Sequence, residues 1–391
     1  METTRPRRGS PEPRAPALKS DVEATDGVRA VHAGLRRRMR TPFPSAGTPQ
    51  HVVLMRSSCF SVGALLLAAS GCTETLTETK FIEQIDTVLV PDTLVVSPVQ
   101  YRVDTVATGF DRPVTVRADE QGLMVAEQRG RIVRLDGSLV LDLRPLILSD
   151  LNFVGGLRNL LVVDGRSFVF LTTVDERVLV AEASAGALDT LLITSELQVQ
   201  HFGGGLAWYD GRLLVALGDG DTGDSRGPGL PGKVLAIDPA TRQVDQVASG
   251  LRNPWRMALS TDTLWIADPG DRSWEEVNAL DLREPGADFG WGIAEGSQCD
   301  LSDCSGTTPP LYEYPTGPEC SSVIGGAVYQ DRFWFADYCE GWVRSVGAEG
   351  IASHHLDLDD RIIALASPVS GELPFIVTER GAVLRVVAVS P

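Results

Sequence analysis

Short apolar runs joined by tight turns recur along most of the chain. Each unit is an apolar strand, a polar turn and a second apolar strand that ends in a small or acidic residue. The second strands begin near positions 123, 168, 213, 264, 333 and 375, at steps of 45, 45, 51, 69 and 42 residues. Strand–turn–strand units at ~40–50-residue intervals are typical of β-propellers, because one blade is too small to bury its own faces. The six units predict an all-β protein, a six-bladed β-propeller over residues 101–391.

The spacing of apolar positions also disfavours other large folds. Helical periodicity is nearly absent, which argues against a TIM barrel or a Rossmann fold. The 69-residue step contains a long insert, 271–325. Long loops of a propeller usually lie on one face and build its site, so we expect the insert to contribute to function.

The amino-terminal part of the chain has the layout of a processing segment. Residues 55–71 begin with a positive residue, continue through an apolar run and end in small residues before Cys72. This order predicts a secretory signal peptide of the lipoprotein type, with lipid attached to Cys72; an ordinary signal peptide cut nearby is the alternative. Residues 1–54 are rich in Arg and Pro, and are either a gene-model artefact upstream of a true start or a disordered basic arm. Residues 72–100 are predicted to be a tether.

The apolar run of this segment, Cys59–Ala69, is too short to span a bilayer as a helix, which takes ~20 residues. We therefore expect membrane attachment by the lipid anchor only, and a periplasmic or outer-membrane-tethered location.

Charge is distributed unevenly along the 391 residues. Residues 1–71 carry 11 Lys and Arg against 5 Asp and Glu, so the rest of the chain has 24 against 47, a net charge of −23. Such an acidic body repels phosphate backbones, which excludes nucleic acid as a partner and favours divalent cations. The mean hydropathy of +0.01 fits a globular protein.

Four cysteines remain after the signal peptide and Cys72 are set aside: Cys299, Cys304, Cys320 and Cys339. An even number in an exported chain indicates two disulfides, for which three pairings are possible. The pairing 299–304, which closes a small loop, with 320–339 is favoured. Zinc is disfavoured because the spacings lack CxxC pairs.

Several motifs occur in a fixed order along the body: HFGGGLAWYDGRLLVALGDG, GKVLAID, GLRNPWRMAL, LWIADPGDRSWEEVN, DFGW and FWFADYCEG. Together they resemble the soluble quinoprotein glucose/sorbosone dehydrogenase family, which includes aldose sugar dehydrogenases and the propeller of hedgehog-interacting proteins. The resemblance covers roughly 105–387 and is strongest to the hedgehog-interacting-like branch. It implies a six-bladed propeller that holds pyrroloquinoline quinone (PQQ) and Ca²⁺ on its top face.

The resemblance also implies roles for individual residues. His201 matches the histidine that takes the sugar hydroxyl proton while hydride passes to the quinone. Arg252 and Asn253 match a pair that contacts cofactor and substrate. Gly270 and Asp271 match two residues whose backbone carbonyls hold calcium, although the second is usually Pro.

Other family positions differ here. Gln200 replaces the acidic residue before the histidine, and Val154 replaces a glutamine ahead of a GLLG motif that reads GLRN. The lysine that pairs with the quinone carboxylates has no match in ADYCEG. Of a later Arg-x-Arg pair only Arg361 remains, with Ile363 in the second place. Because PQQ carries three carboxylates, the loss of two cations weakens the expected binding of this cofactor.

The residue types support the same chemistry without the resemblance. A neutral imidazole accepts a proton near pH 7, as a base for alcohol oxidation must, and Arg offers a rigid fork to carboxylates or a developing oxyanion. The alternatives are a structural histidine capping a blade and an Arg bonded to blade carbonyls. Asp219, Asp221 and Asp224 form a second, weak calcium candidate in a Gly-rich loop, with a solvated acidic turn as the alternative.

Two further features have mainly structural interpretations. Glu275 and Glu276 are adjacent, so on a strand they point to opposite faces and do not flank one glycosidic bond; they are expected to fix the insert by hydrogen bonds. The tryptophans mostly indicate blade packing, although Trp291 is a candidate for a sugar site.

The sequence thus predicts an extracytoplasmic PQQ-dependent oxidoreductase that oxidises an aldose or a related alcohol and passes electrons to a periplasmic acceptor. No NAD motif is visible. The alternative is a non-catalytic propeller that binds glycan or protein on the same face.

Overall fold

The computed structural model describes residues 95–96, 99–147, 155–184, 187–194, 200–223, 225–299, 303–368 and 371–389. Regular structure in these ranges is β-strand, apart from a 3₁₀ turn at Arg144–Leu146. Residues 1–54, the predicted signal peptide 55–71 and Cys72 lie outside the described residues, so the predicted division of the chain before residue 101 stays a prediction. In the described ranges no helix is long and apolar enough to cross a membrane.

Two strands precede the first blade, β1 (Val95–Val96) and β2 (Tyr101–Thr108). Blade 1 contains β3 (Pro113–Asp119), β4 (Gly122–Glu127), β5 (Arg131–Arg134) and β6 (Leu139–Asp142). Blade 2 contains β7 (Leu157–Val163), β8 (Arg166–Thr172), β9 (Val178–Ser184) and β10 (Ala187–Ile193). Blade 3 contains β11 (Gly205–Tyr209), β12 (Arg212–Ala216), β13 (Val234–Ile237) and β14 (Val244–Ser249).

Blade 4 is interrupted by a long segment with short strands of its own. The elements run β15 (Arg256–Ser260), β16 (Thr263–Asp268), β17 (Trp274–Asp281), β18 (Ala287–Asp288), β19 (Ala294–Glu295), β20 (Gln298–Cys299) and β21 (Tyr312–Pro315), of which β15, β16, β17 and β21 form the blade. Blade 5 contains β22 (Val323–Tyr329), β23 (Arg332–Asp337), β24 (Trp342–Val346) and β25 (Ala352–Asp357). Blade 6 contains β26 (Ile362–Ala366), β27 (Phe375–Thr378) and β28 (Ala382–Ala388).

The six sheets form a closed ring, which confirms the predicted six-bladed propeller. Each innermost strand contacts the innermost strand of the next blade, and β26 of blade 6 contacts β3 of blade 1. The predicted second strands correspond to β4, β8, β12, β16, β23 and β27. Blade 6 receives its outer strand from the opposite end of the chain, because β2 pairs antiparallel with β28. This closure was not part of the prediction.

Alternating side chains of one strand serve two interfaces between blades. Phe168 and Phe170 of β8 pack with Leu213 of blade 3 in one cluster. Val169, between them, packs with Met124 of blade 1 in another cluster. The period of two residues explains why each blade is buried on both faces, and why the strands read as continuous apolar runs.

The predicted insert 271–325 is too broad. Trp274–Asp281 and Tyr312–Pro315 are strands of blade 4, so the true insertion is 282–311, between β17 and β21. The Cys299–Cys304 disulfide lies inside this insertion. The Cys320–Cys339 disulfide joins the segments on either side of the first hairpin of blade 5. Both bridges agree with the favoured pairing.

Part of the predicted tether, 72–100, also belongs to a sheet. Residues 95–96 pair in parallel with Ser353 and His354 of β25, at the outer edge of blade 5.

Candidate functional site

A pocket of about 580 Å³ opens where the innermost strands of the propeller meet. All six blades contribute to its lining, through Val114, Arg158, His201, Trp255, Ile324 and Ile363 in blade order. Its size falls within the ~300–1,000 Å³ of small-molecule sites, and a junction between blades is a common place for such a site.

His201 lies in this lining, on the loop that leads into β11. Its Nδ1 is 2.8 Å from Oδ1 of Asp219, and its side chain is 14% exposed. Because an ionised carboxylate only accepts hydrogen bonds, the proton sits on Nδ1. This leaves Nε2 as the ring nitrogen that can take up a proton.

Three groups besides His201 hold Asp219 in place. Its carboxylate accepts hydrogen bonds from Nε1 of Trp291 at 2.8 Å and from the backbone N–H groups of Asp221 and Gly223. Burial alone raises the pKa of Asp219, but the hydrogen bonds from His201, Trp291 and Asp221 outweigh it and the pKa is lowered. Asp219 therefore stays ionised and orients the imidazole, a role that the sequence interpretation did not give it.

The glycines beside His201 allow backbone segments to approach each other closely. Gly203 has a φ of +76°, and a Cβ there would overlap the carbonyl oxygen of Ala216. A Cβ at Gly218 would overlap the carbonyl of His201 itself. The histidine loop is thus packed against the end of β12, and His201 has a φ of +49°. Packing of backbone on backbone therefore requires these glycines.

The carboxylate of Asp268 fixes the loop that carries Arg252 and Asn253. The two oxygens of this buried carboxylate accept the N–H groups of Arg252 at 2.9 Å and Asn253 at 2.6 Å. Burial raises the pKa of Asp268 to about 7. The side-chain oxygen of Asn253 accepts the N–H of Gly203, and Asp219 donates its N–H to the carbonyl of Arg252. These bonds tie the Arg–Asn loop to the histidine loop.

The Arg252 guanidinium lies beside the pocket rather than in its lining. It contacts Oδ1 of Asp271 at 3.2 Å and lies 5.3 Å from the ring of Trp291. Its Nε is buried without a hydrogen-bond partner, a polar group that a ligand can satisfy. Trp291, the candidate for a sugar site, instead supports Asp219 and Arg252.

The predicted calcium loop is held by a single carboxylate. One oxygen of Glu295 accepts the N–H groups of Asp271, Arg272, Ser273 and Trp274. Calcium ligation by the carbonyls of Gly270 and Asp271 stays a prediction.

The second calcium candidate gains no support. Both oxygens of Asp219 are hydrogen-bonded, and Asp224 lies outside the described residues. Among the described residues no group of three His, Cys, Asp or Glu side chains is arranged to hold a metal.

Of the remaining predicted contacts, Gln200 lines the pocket and Arg361 does not. The Arg361 guanidinium lies 3.5 Å from Glu379 and 3.3 Å from the hydroxyl of Tyr338, and it is largely exposed. Glu379, Tyr338 and Ile363 form this side of the lining. Blades 5 and 6 thus present an aromatic, an apolar and an acidic side chain where the family resemblance implied cations.

Glu275 and Glu276 are buried and hydrogen-bonded, as the sequence indicated. Glu275 accepts the N–H of Val323 at 2.9 Å, and Glu276 accepts the N–H of Gly296 at 2.6 Å. Burial raises the pKa of each to about 8. Neither lies in the pocket lining, which removes them from consideration as a hydrolytic pair.

Sequence reasoning missed several residues of the lining, among them Arg158 and Gln128. Arg158 stands in the motif that reads GLRN instead of GLLG, so the departure itself was the visible signal. Its Nε donates to the carbonyl of Gly203 at 2.7 Å. Gln128 donates to the carbonyl of Gly155 at 2.9 Å, next to the Val154 position that lies outside the described residues.

Solved structures share this architecture. A PQQ-bound aldose sugar dehydrogenase from Streptomyces coelicolor is 23% identical with a TM-score of 0.58, over 74% of this chain and 99% of its own. An oxidoreductase described as a glucose dehydrogenase, from Thermus thermophilus, is 20% identical with a TM-score of 0.59, over 73% and 100%. A calcium structure of a family AA12 carbohydrate-active enzyme from Trichoderma reesei is 12% identical with a TM-score of 0.56, over 76% and 98%.

At these identities the similarity establishes a common fold. The chain has the propeller fold of PQQ-dependent sugar dehydrogenase-like proteins. It matches no protein-family model.

The residues present fit a flat anionic cofactor. The pocket lining includes Trp255, Arg112, Arg158, Gln128 and Asn253. The orphaned Nε of Arg252 lies beside it. Planar aromatic walls with a few cations are the environment that an aromatic polycarboxylate requires.

Proposed function

We propose that this propeller is an extracytoplasmic, PQQ-dependent oxidoreductase of the glucose/sorbosone dehydrogenase type, which oxidises an aldose or a related alcohol. The observation that carries the proposal is the pairing of His201 with the buried Asp219 at the wall of a pocket of cofactor size. A base whose tautomer is fixed by a carboxylate is the arrangement that proton abstraction from a hydroxyl needs.

His201 is the general base of this proposal. Its Nε2 takes the hydroxyl proton of the sugar, and the carboxylate of Asp219 stabilises the imidazolium that results. Trp291 and two backbone N–H groups keep Asp219 in place, so the pair does not have to reorganise during the reaction.

The cofactor is held by residues from several blades. Asn253 and Gln200 offer hydrogen-bonding groups from the lining, and Trp255 offers an aromatic side chain beside them. Arg252 steadies developing negative charge from beside the pocket. The carbonyls of Gly270 and Asp271 hold calcium. When bound, the quinone supplies the two-electron acceptor, and the metal supplies Lewis acidity.

Processing and redox chemistry support the proposed location. Two disulfides fit an oxidising compartment outside the cytoplasm. A lipid on Cys72 tethers the propeller to a membrane, and a periplasmic acceptor takes the electrons.

A dye-reduction assay on the purified full chain tests this function. With PQQ and CaCl₂ present, we expect aldose-dependent reduction of a redox dye, abolished by His201→Ala. Loss of activity on chelation with EDTA and its return with Ca²⁺ test the metal. Absence of dye reduction with every aldose tried, in a protein that binds PQQ, contradicts an enzymatic role.

One observation favours the alternative, a non-catalytic propeller that binds glycan or protein on this face. Arg361 pairs with Glu379, and Ile363 and Tyr338 stand where the family resemblance implied cations. Binding of a glycan in the same assay buffer, without any binding of PQQ, supports this alternative.

A further inference from the structure

The charges around the pocket are unevenly placed. Arg112 of blade 1 and Arg158 of blade 2 line one side. Glu379, also in the lining, belongs to blade 6, which adjoins blade 1 in the ring, and its carboxylate accepts a hydrogen bond from Tyr338 at 2.8 Å. Arg158 in blade 2 is separated from Glu379 by blade 1, so an anionic ligand is attracted most strongly towards Arg158 and away from blade 6.

Arg158 is built into this wall rather than lying loosely on it. Its side chain is 3% exposed, and its guanidinium carbon lies 4.3 Å from the ring centre of Trp255, which also lines the pocket. Its Nε donates to the carbonyl of Gly203, while the adjacent Asn159 donates to the carbonyl of Gly204 at 2.8 Å. Arg158 and Asn159 are the two residues by which GLRN differs from GLLG. Both thus form hydrogen bonds with the loop that follows His201.

A second buried guanidinium reinforces the positive potential. Arg256 is 1% exposed, lies 4.8 Å from the ring centre of Trp255 and donates to the carbonyls of Trp255 and Val114. Its Nε is buried without a hydrogen-bond partner. Carbonyl oxygens satisfy hydrogen bonds but do not neutralise a full charge, so positive potential persists beside the lining residue Trp255.

Burial makes these charges costly in the absence of an anion. It lowers the pKa of Arg158 to about 9 and that of Arg256 well below its usual range. At neutral pH Arg158 remains protonated, and an approaching carboxylate stabilises its charged form.

We propose that Arg158, assisted by Arg112 and backed by Arg256, is the carboxylate-binding side of the pocket, and that the ligand is a flat aromatic polycarboxylate whose acid groups face blades 1 and 2. The inference rests on the proposed function, since PQQ is such a compound, and it makes Arg158 a determinant of ligand specificity. The cations missing from blades 5 and 6 are replaced by cations of blades 1 and 2.

Equilibrium titration tests the inference without any catalytic readout. The quenching of tryptophan fluorescence is followed as two ligands are added separately to the full chain: PQQ, and benzene-1,3,5-tricarboxylate, a flat triacid that is not a quinone. We expect Arg158→Gln to weaken binding of both by about 10–100-fold, as for the loss of a charge-assisted hydrogen bond. Arg158→Lys keeps the charge and is expected to lose less.

Arg166→Gln is the matched control. Arg166 lies in the same blade, but its guanidinium pairs with Glu182 outside the pocket, so binding should be unchanged. The neutral benzene-1,3,5-tricarboxamide provides a test that needs no variant, since the wild-type protein should bind it at least about 10-fold more weakly than the triacid.

The outcomes separate this inference from the proposed function. Wild-type affinity for both acids in Arg158→Gln, or equal affinity of the wild-type protein for triacid and triamide, overturns the inference even if sugar oxidation is observed. Failure of the wild-type protein to bind either acid overturns it as well. Binding that depends on Arg158 without sugar oxidation leaves the inference standing and contradicts the enzymatic function.

Discussion

At the scale of single residues, the site depends on a pair that the chain brings together from 18 residues apart. His201 enters from the loop before β11, and Asp219 follows the end of β12. The hairpin of β11 and β12 carries both ends to the same rim, so strand pairing sets their geometry. Asp219 was visible in the sequence only as one of three acidic residues, because nothing in its local motif reveals a partner on the preceding loop.

Asp219→Asn tests the role of the pair. The amide is nearly isosteric but cannot hold the imidazole in the same tautomer, so we expect kcat to fall by about 10²–10⁴-fold with a smaller change in KM. Steady-state dye-reduction kinetics measure the effect, and circular dichroism confirms the fold. The control is Asp221→Asn, since that exposed carboxylate lies 3.8 Å from Nδ1 and should have little effect. Equal losses in the two variants contradict the assignment.

His355 does not line the pocket, and its titration affects the stability of the fold. Its ring stacks on Trp334 at 4.2 Å, and its Nε2 lies 2.8 Å from the hydroxyl of Ser345. Burial, with further contributions from Arg332 and His354, lowers the pKa of His355 to about 4. The unfolded chain takes up this proton near pH 6.5, so it binds more protons than the folded chain between pH 6.5 and about 4.

We therefore expect the free energy of unfolding to fall as pH drops through this window. The loss is roughly 2 kcal/mol, after allowance for the partial exposure of the ring. His355→Phe keeps the stacking and removes the proton, so its urea-unfolding free energy should differ less between pH 7 and pH 4.5. A difference as large as in the wild-type protein rules out His355 as the source.

At the scale of elements, the strand predictions were confirmed where the local sequence pattern determines the structure. The six second strands were found because their apolar alternation and turn residues lie within a few positions of each other. Trp274–Asp281 was placed in the predicted insert 271–325; its two glutamates are buried and hydrogen-bonded, and burial raises the pKa of each to about 8. Such compensation comes from distant residues and leaves no local trace.

The two disulfides differ in the length of chain that they close, and the difference gives a prediction. Cys320 and Cys339 are 19 residues apart, whereas Cys299 and Cys304 are 5 apart. In the chain-entropy model the longer loop contributes about 3 kcal/mol to the free energy of unfolding and the shorter one about 2. Paired Cys→Ala variants in denaturant unfolding should show this order, with Cys320/Cys339 the costlier loss; the reverse order contradicts it.

At the scale of the whole molecule, the ring is closed by non-covalent pairing of its two chain ends. β2 pairs with β28 over most of its length, and Tyr101 of β2 packs edge-on against Trp334 of blade 5. The closing strand escaped prediction because it is only half-buried and its pattern resembles that of a linker. The site likewise exceeds what sequence reasoning can reach, since Arg158 of blade 2 and Glu379 of blade 6 line one pocket only once the six blades are assembled.

Loss of the closing strand should therefore affect every blade. A chain that begins at Gln100 retains β2 and is expected to unfold in one cooperative thermal transition. A chain that begins at Phe110 lacks β2, exposes the edge of β28 and is expected to aggregate or to melt without cooperativity. Differential scanning calorimetry compares the two, and equally sharp transitions argue against closure by β2.

The central claim is that one pocket at the propeller axis binds PQQ and oxidises sugar with His201 as the base. A single-turnover experiment without oxygen and without dye tests it most directly: the full chain is loaded with PQQ and Ca²⁺, an aldose is added, and the quinone absorbance is followed. We predict that the wild-type spectrum changes to that of the reduced cofactor, while His201→Ala binds PQQ and stays oxidised. A wild-type protein that fails to bind PQQ, or a His201→Ala variant that is reduced at the wild-type rate, contradicts the account.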